Sequence, residues 1–272
     1  MDTEFLKDSG DLEALLRVAD VDDLDVLVDY LTDSGAGRIS LSESTLKRFE
    51  ACKHARLYPA VDRAEIAREI VLFGGNSIAN IFRGGKGVSY TELVGDVASH
   101  LKVAHTKGAN AMAIETAIVS KLYDETLSKM PTFERKRFIF QDLIHLNNEP
   151  DMGDMPESLF KAQVVANGMA SKMLGRGIKL GDWAPYALFL TPFGLLASVW
   201  SAVELTGAAY RVTMPCVIQI AYMRQKALCG PLPCKCRKCS KINTPDAKFC
   251  SECGDAMPQG PVAPTAVTAP FL

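Results

Sequence analysis

Apolar residues recur at helical spacing from the first readable stretch of the chain. Leu12, Leu15, Leu16 and Ala19 fall at i, i+3, i+4 and i+7, and Leu24, Leu27, Val28 and Leu31 repeat that face after the polar break at Asp20–Asp23. The two runs predict a helical pair within residues 1–35. Asp62 and Glu65 stand at capping-box spacing and predict the start of a helix with Ile66, Ile70 and Val71 on one face, ending at Gly74–Gly75. Ser89 with Glu92 predicts another, with Leu93, Val97 and Leu101 inward. Ile114, Ile118 and Leu122 mark a third long helix, and Phe133 to Leu146, entered through Pro131 and Thr132, marks a fourth. No alternation of strand period competes with these before residue 210. The pattern therefore predicts an all-α helical body spanning residues 36–228 behind the N-terminal pair. No internal repeat is evident, and the Pro-, Ala-, Val- and Thr-rich tail 258–272 cannot build a core, which predicts disorder there.

One block departs from amphipathic patterning. Trp183 to Val203 runs 21 residues without a charge, and after Glu204 a second apolar run continues to Met223 with only Arg211 inside it. The first run has the length of a bilayer span, and basic residues flank the block at Lys172, Arg176, Lys179, Arg224 and Lys226. Pro192 interrupts the first run and Glu204 and Arg211 sit near its turn, which favours an apolar helical hairpin at 183–223 forming the core of the body. A membrane hairpin is the alternative. In the core reading Tyr210 and Arg211 open the second limb, and a buried Arg211 requires a carboxylate, for which Glu204 is the nearest in sequence.

Charge is balanced overall and uneven in detail. The 272 residues sum to −2, too even for a general binder of nucleic acid. Residues 1–33 carry eleven acids against Lys7 and Arg17, a net −9 that leaves +7 for the remainder. The acidic front is expected to contact a basic surface of the body or of a partner. At 29.5 kDa the chain is long enough to bury its own core, and 48% apolar residues exclude general disorder. The N-terminal stretch shows no basic segment leading into an apolar one, which predicts a cytoplasmic protein, with inner-membrane association if the 183–223 block inserts.

The glycine-rich stretch Phe73–Gly87 invites a phosphate-loop reading at Gly85-Lys86, but Asn80 stands where the loop needs its first Gly and Gly87 where it needs Ser or Thr. Asn76 is better read as the N-cap of a short helix, leaving Arg83 and Lys86 as contacts for an anion or a partner carboxylate.

The strongest chemical signal is at the C-terminus. Cys236-x2-Cys239 is followed after ten residues by Cys250-x2-Cys253-Gly254. Two such knuckles turn four thiolates to one point, a tetrahedral set suited to zinc, with iron as a minor rival. All four positions are filled by protein, so the expected role is structural, and Cys234 is read as a bystander. Thr244-Pro245-Asp246 supplies the turn between the knuckles. The basic residues of this segment are nearly offset by its acids and by the charge of a tetrathiolate zinc centre, which argues for protein contact over a phosphate grip. The segment CRKCSKINTPDAKFCSECG resembles the short zinc-ribbon family over about residues 234–257.

A second resemblance is carried by FGGNSIANIFRGGKG at Phe73–Gly87 and AYRVTMPCVIQIAYMR at Ala209–Arg224. Together they look like the YaaW-type family of bacterial proteins, which is grouped at a distance with the ubiquinol–cytochrome c chaperones. The acidic pair similarly resembles a short domain of unknown function found ahead of such proteins. The likeness spans about residues 1–227 and implies an all-α fold and a chaperone-like role without naming a mechanism. The histidines His54, His100, His105 and His145 form no recognisable catalytic pattern, and no HExxH or GxSxG is present. The expected function is thus non-enzymatic: a protein-binding or assembly factor with a structural zinc ribbon used for protein contacts. The alternative is a membrane-inserting effector of a bacterial stress or defence system acting through 183–223.

Overall fold

Leu12–Val18 (α1) and Val21–Thr32 (α2) open a helical body in a computed structural model that describes residues 11–35, 41–75, 88–106, 108–133, 135, 156–174 and 210–230, with 234–236, 238–239, 241–243 and 247–257 of the C-terminal module. The helices that follow are Glu43–Ala55 (α3), Ala60–Gly75 (α4), Tyr90–His100 (α5), Ala111–Lys129 (α6), Glu157–Leu174 (α7) and Tyr210–Cys229 (α8). The body is all-α among the described residues, as the spacing predicts. Asn76, Arg83, Lys86, the first limb of the apolar block at 183–209, most of the Phe133–Leu146 helix and the 258–272 tail lie outside the described residues.

Local chemistry sets several boundaries. The Asp11 carboxylate accepts from Ala14 N–H at the head of α1, and Ser42 accepts from Thr45 N–H at the head of α3. Ser89 and Glu92 complete a reciprocal capping box on α5. The Asp62–Glu65 signal is different: α4 begins at Ala60, where the Pro59 carbonyl accepts from Asp62 and Arg63 N–H groups. Asp62, freed from capping, pairs with Arg48 on α3. Two helices escape the pattern. α3 buries only Phe49 and Cys52, a stripe too narrow to register, and α7 intersperses small residues, Ala162, Ala166, Gly168 and Ala170, with Leu159, Val164, Val165 and Met169 on its buried side.

The body is built around α8. Every residue from Val212 to Arg224 is buried, so this helix is apolar on all sides because it has neighbours on all sides. It packs against α7, α2, α6, α4 and α5. The second limb of the apolar block is therefore a core helix, and it starts at Tyr210 as expected. Among the described residues no helix is long and apolar enough to cross a membrane. Arg211 is exposed and needs no buried carboxylate. The arginine that does is Arg224, read from sequence as a flanking charge and found fully buried.

Arg224 Nε donates to Glu115 Oε2 at 2.8 Å and its Nη2 to Glu115 Oε1 at 3.2 Å, while the Tyr90 hydroxyl donates to Glu115 Oε1 at 2.7 Å. The triad joins α5, α6 and α8 at the centre of the core. Burial pushes the Glu115 carboxyl up and the Tyr90 phenol well up, with Arg224 pulling the carboxyl the other way.

The acidic pair docks through charge and apolar contact together. Lys226 Nζ lies 2.6 Å from Asp20 and 2.9 Å from Asp23, and Gln219 Nε2 donates to Asp23 at 3.1 Å. Lys53 pairs with Asp29, and Arg56 with both Asp22 and Asp25. Arg63 Nη1 donates to the carbonyls of Leu16 at 2.6 Å and Ala19 at 2.9 Å, capping the end of α1 from α4. Exposed ion pairs alone contribute little. Leu15, Leu16, Leu24, Leu27 and Leu31 beneath them belong to the same hydrophobic cluster as α8, and that burial supplies most of the attachment.

α4 and α5 approach closely at Gly74, where an added Cβ would stand 2.1 Å from Leu93 Cδ1. Leu93 is itself buried and has little room to move. Gly74→Ala is expected to destabilise the body by about 1–3 kcal/mol through overpacking, read as a lower denaturant midpoint at unchanged slope.

Candidate metal centre

The C-terminal module is built from two copies of one hairpin. In the first, Cys234–Lys235 (β1) pairs antiparallel with Ile242–Asn243 (β2), Cys234 opposite Asn243 and Lys235 opposite Ile242. In the second, Phe249 bridges Ala256 and Met257 N–H donates to the Lys248 carbonyl at 3.0 Å. Adding fourteen to each residue of the first hairpin gives its counterpart in the second, so Cys236 and Cys250 are equivalent, as are Cys239 and Cys253.

The turns obey the same rule. Cys236 N–H donates to the Lys241 carbonyl and Cys250 N–H to the Asp255 carbonyl, both at 2.8 Å. Lys238 N–H donates to Cys236 Sγ and Glu252 N–H to Cys250 Sγ, both at 3.4 Å. Gly254, at φ +69°, supplies the left-handed residue that lets the second knuckle close.

The two turns face each other and bring four sulfurs together. Cys236 Sγ is 3.5 Å from Cys253 Sγ, and Cys239 Sγ is 3.5 Å from Cys250 Sγ. All four lie within 4.8 Å of one another. A thiolate tetrahedron around a metal at about 2.3 Å per bond has edges of roughly 3.8 Å, so the four cysteines are placed to hold one metal ion. Cys236 and Cys250 are buried, Cys253 is half-buried and Cys239 is exposed. Backbone N–H groups of Cys253 and Glu252, with the Asn243 amide, draw the Cys250 thiol down to about 6, and N–H groups of Cys239 and Lys238 lower Cys236 in the same way. Against the backbone N–H groups of Lys241 and Asp255, burial and the facing sulfurs push the Cys239 thiol up to about 12 and raise Cys253.

The module has its own small core of Cys236, Cys250 and Met257, separate from the body's cluster. Phe249 is 66% exposed, flanked in sequence by Lys248. Cys234 contributes backbone to β1, opposite Asn243. The turn at 244–246 lies outside the described residues. Asn243 was not singled out by the cysteine spacing, although the fourteen-residue offset makes it the equivalent of Met257 and marks it as the polar member of that pair.

No described histidine joins the four cysteines. His100 ends α5 and stacks on Tyr210 at the head of α8, with ring centroids 3.8 Å apart and planes at 15°. His105 lies 3.3 Å from the Val103 carbonyl.

The chain is similar to a UPF0174 protein of Helicobacter pylori strain J99, with 32% identity over 235 residues, covering 79% of this chain and 91% of that protein. It is also similar to the UPF0174 protein YaaW of Escherichia coli K12, 30% identical over 244 residues, 83% of this chain and 97% of the relative, and to YaaW of Escherichia coli O157:H7 at 29%. No family model matches the chain. No solved structure matches it either.

Proposed function

The chain belongs to the UPF0174 family, and from that premise we propose that it is a non-catalytic, protein-binding assembly factor whose C-terminal knuckles hold a structural zinc ion. The observation that carries the reading is the closed four-sulfur cluster, in which Cys236, Cys239, Cys250 and Cys253 would occupy all four positions of a tetrahedral ion. A zinc ion held by four thiolates cross-links two hairpins and offers no position for a reacting water. Its value lies in fixing the shape of a surface.

Phe249 is the natural contact on that surface. An exposed aromatic ring on a rigid hairpin is the kind of residue that anchors a protein interface. A partner with an apolar pocket and an acidic rim would meet Phe249 and the exposed Lys248 beside it in sequence. The chaperone-like label of the sequence resemblance is consistent with such a role.

The test is site-specific crosslinking in cells. A photoreactive residue introduced at Phe249 is expected to trap one defined protein, and Phe249→Ser is expected to abolish its co-purification while zinc content stays at one per chain. Undiminished co-purification by Phe249→Ser protein removes the ribbon from the interface.

A further inference from the structure

The two knuckles are copies in backbone but not in side chains, and the difference sits against the sulfurs. At the position that follows each CxxC turn, the first hairpin carries Asn243 and the second carries Met257. Both are buried, at 7% and 4% exposure. A thioether has no hydrogen to donate, whereas the Asn243 amide makes three contacts, two of which cross the module. Its Oδ1 accepts from Ser251 N–H at 2.7 Å, inside the second CxxC turn. Its Nδ2 donates to the Lys241 carbonyl at 3.0 Å and approaches Cys250 Sγ at 3.5 Å.

The orientation of that amide is decided by its neighbours. Ser251 N–H can only donate, so the atom facing it is the oxygen, and the nitrogen is left facing Lys241 O and Cys250 Sγ. One side chain thus ties the first hairpin to the second turn and adds an N–H···S bond to one thiolate. Among the described residues, Cys250 adds the Asn243 amide to the kind of backbone donors that its counterpart Cys236 also has.

We propose that Asn243 is the positioning residue of the metal centre: by donating to Cys250 and gripping Ser251 it makes the four thiolates inequivalent and slows release of the ion. The inference rests on the metal reading of the four cysteines and adds a residue and a rank order to it. A hydrogen bond to sulfur withdraws electron density from the lone pair that the metal uses and protects that thiolate from protons and electrophiles. Cys250, buried and doubly bonded, is the anchor ligand; Cys239, exposed, is the ligand that leaves first.

The experiment uses cobalt(II) as the probe in the full chain. Asn243→Asp keeps an oxygen for Ser251 and removes the donor to sulfur; Asn243→Met copies the residue of the other knuckle. Both variants are expected to take up one cobalt ion. Their sulfur-to-cobalt charge-transfer absorption is expected to move to longer wavelength, because a thiolate without its donor is easier to oxidise, and release to a chelator is expected to accelerate roughly 10- to 100-fold. A shift shared by Asn243→Asp, which keeps the side chain's shape, and Asn243→Met, which adds no charge, assigns it to the lost N–H···S bond. Unchanged absorption and release in both variants overturn the role of Asn243. So does failure of both variants to take up cobalt at concentrations that saturate the wild type, which would make Asn243 a residue needed to fold the module. A wild-type chain that takes up no cobalt overturns the metal reading itself, a result distinct from either.

Discussion

Cys250→Ser protein will contain no stoichiometric metal and will lose the ordered 234–257 module while keeping its helical body. The module's apolar core consists of Cys236, Cys250 and Met257, with Ala247 and Cys253 packed against it. That core is far too small to offset the conformational entropy of ordering two hairpins. A bound metal would supply the difference: for four-ligand zinc modules the apparent binding energy is about 10–16 kcal/mol at neutral pH, expressed as folding. Serine offers no thiolate, and it interrupts the N–H···S bonds from Glu252 and Asn243 that hold the second knuckle. The body's cluster contains no residue of the module, so α1 to α8 will remain. Metal analysis of the purified protein with far-ultraviolet circular dichroism checks both halves. Retention of one ion per chain would show that the ligand set is different; loss of helical signal in parallel with the metal would show that module and body fold as one.

Removing either charge of the Arg224–Glu115 pair will destabilise the body by about 3–5 kcal/mol, or roughly 10 °C in midpoint for a domain of this size. The pair is 0% and 1% exposed, so the partner left behind is a charge with no route to water. Glu115→Gln removes the carboxylate charge that faces the Arg224 guanidinium, and Arg224→Met removes the guanidinium from a carboxyl that keeps the Tyr90 hydroxyl. Burial already raises the Glu115 carboxyl, so in Arg224→Met protein it will take up a proton and recover part of the loss. Glu115→Gln is therefore expected to cost more than Arg224→Met. The double change Glu115→Leu with Arg224→Met will be closer to wild type than either single change, because two well-packed apolar groups avoid the desolvation that the ion pair must offset. Chemical denaturation of wild type, Glu115→Leu, Arg224→Met and the double variant forms a double-mutant cycle that measures this. Additive losses would mean the two side chains do not interact in solution.

The ion pair also explains why the 183–223 block could be read in two ways. α8 carries a long buried run from Val212 to Met223 because neighbouring helices enclose it, and an apolar run alone does not say whether protein or lipid covers it. The distinguishing feature is Arg224, which follows the last apolar residue of the run and reads as a flanking charge. In the fold it faces inward, because Glu115 comes from a helix 109 residues earlier in the chain. Lys226 belongs to the same class: it looks like a surface base and closes instead on Asp20 and Asp23.

The sequence by itself determined whatever rests on local spacing. Apolar residues three and four apart placed α1, α2, α5 and α6, a Ser and a Glu three residues apart marked the head of α5, and two CxxC turns fixed which four sulfurs would converge. Each of these is set by contacts within a few turns of chain, so the residues carry their own instructions. Tertiary structure alone decided the rest: that α8 is central, that Glu115 is the partner of Arg224, that the acids of α2 meet Arg56, Lys53 and Lys226, and that Asn243 bridges the two knuckles. These depend on which elements pack side by side. Packing is selected by the free energy of the whole core, in which many weak, non-directional apolar contacts choose the neighbours before any single polar group can find its partner.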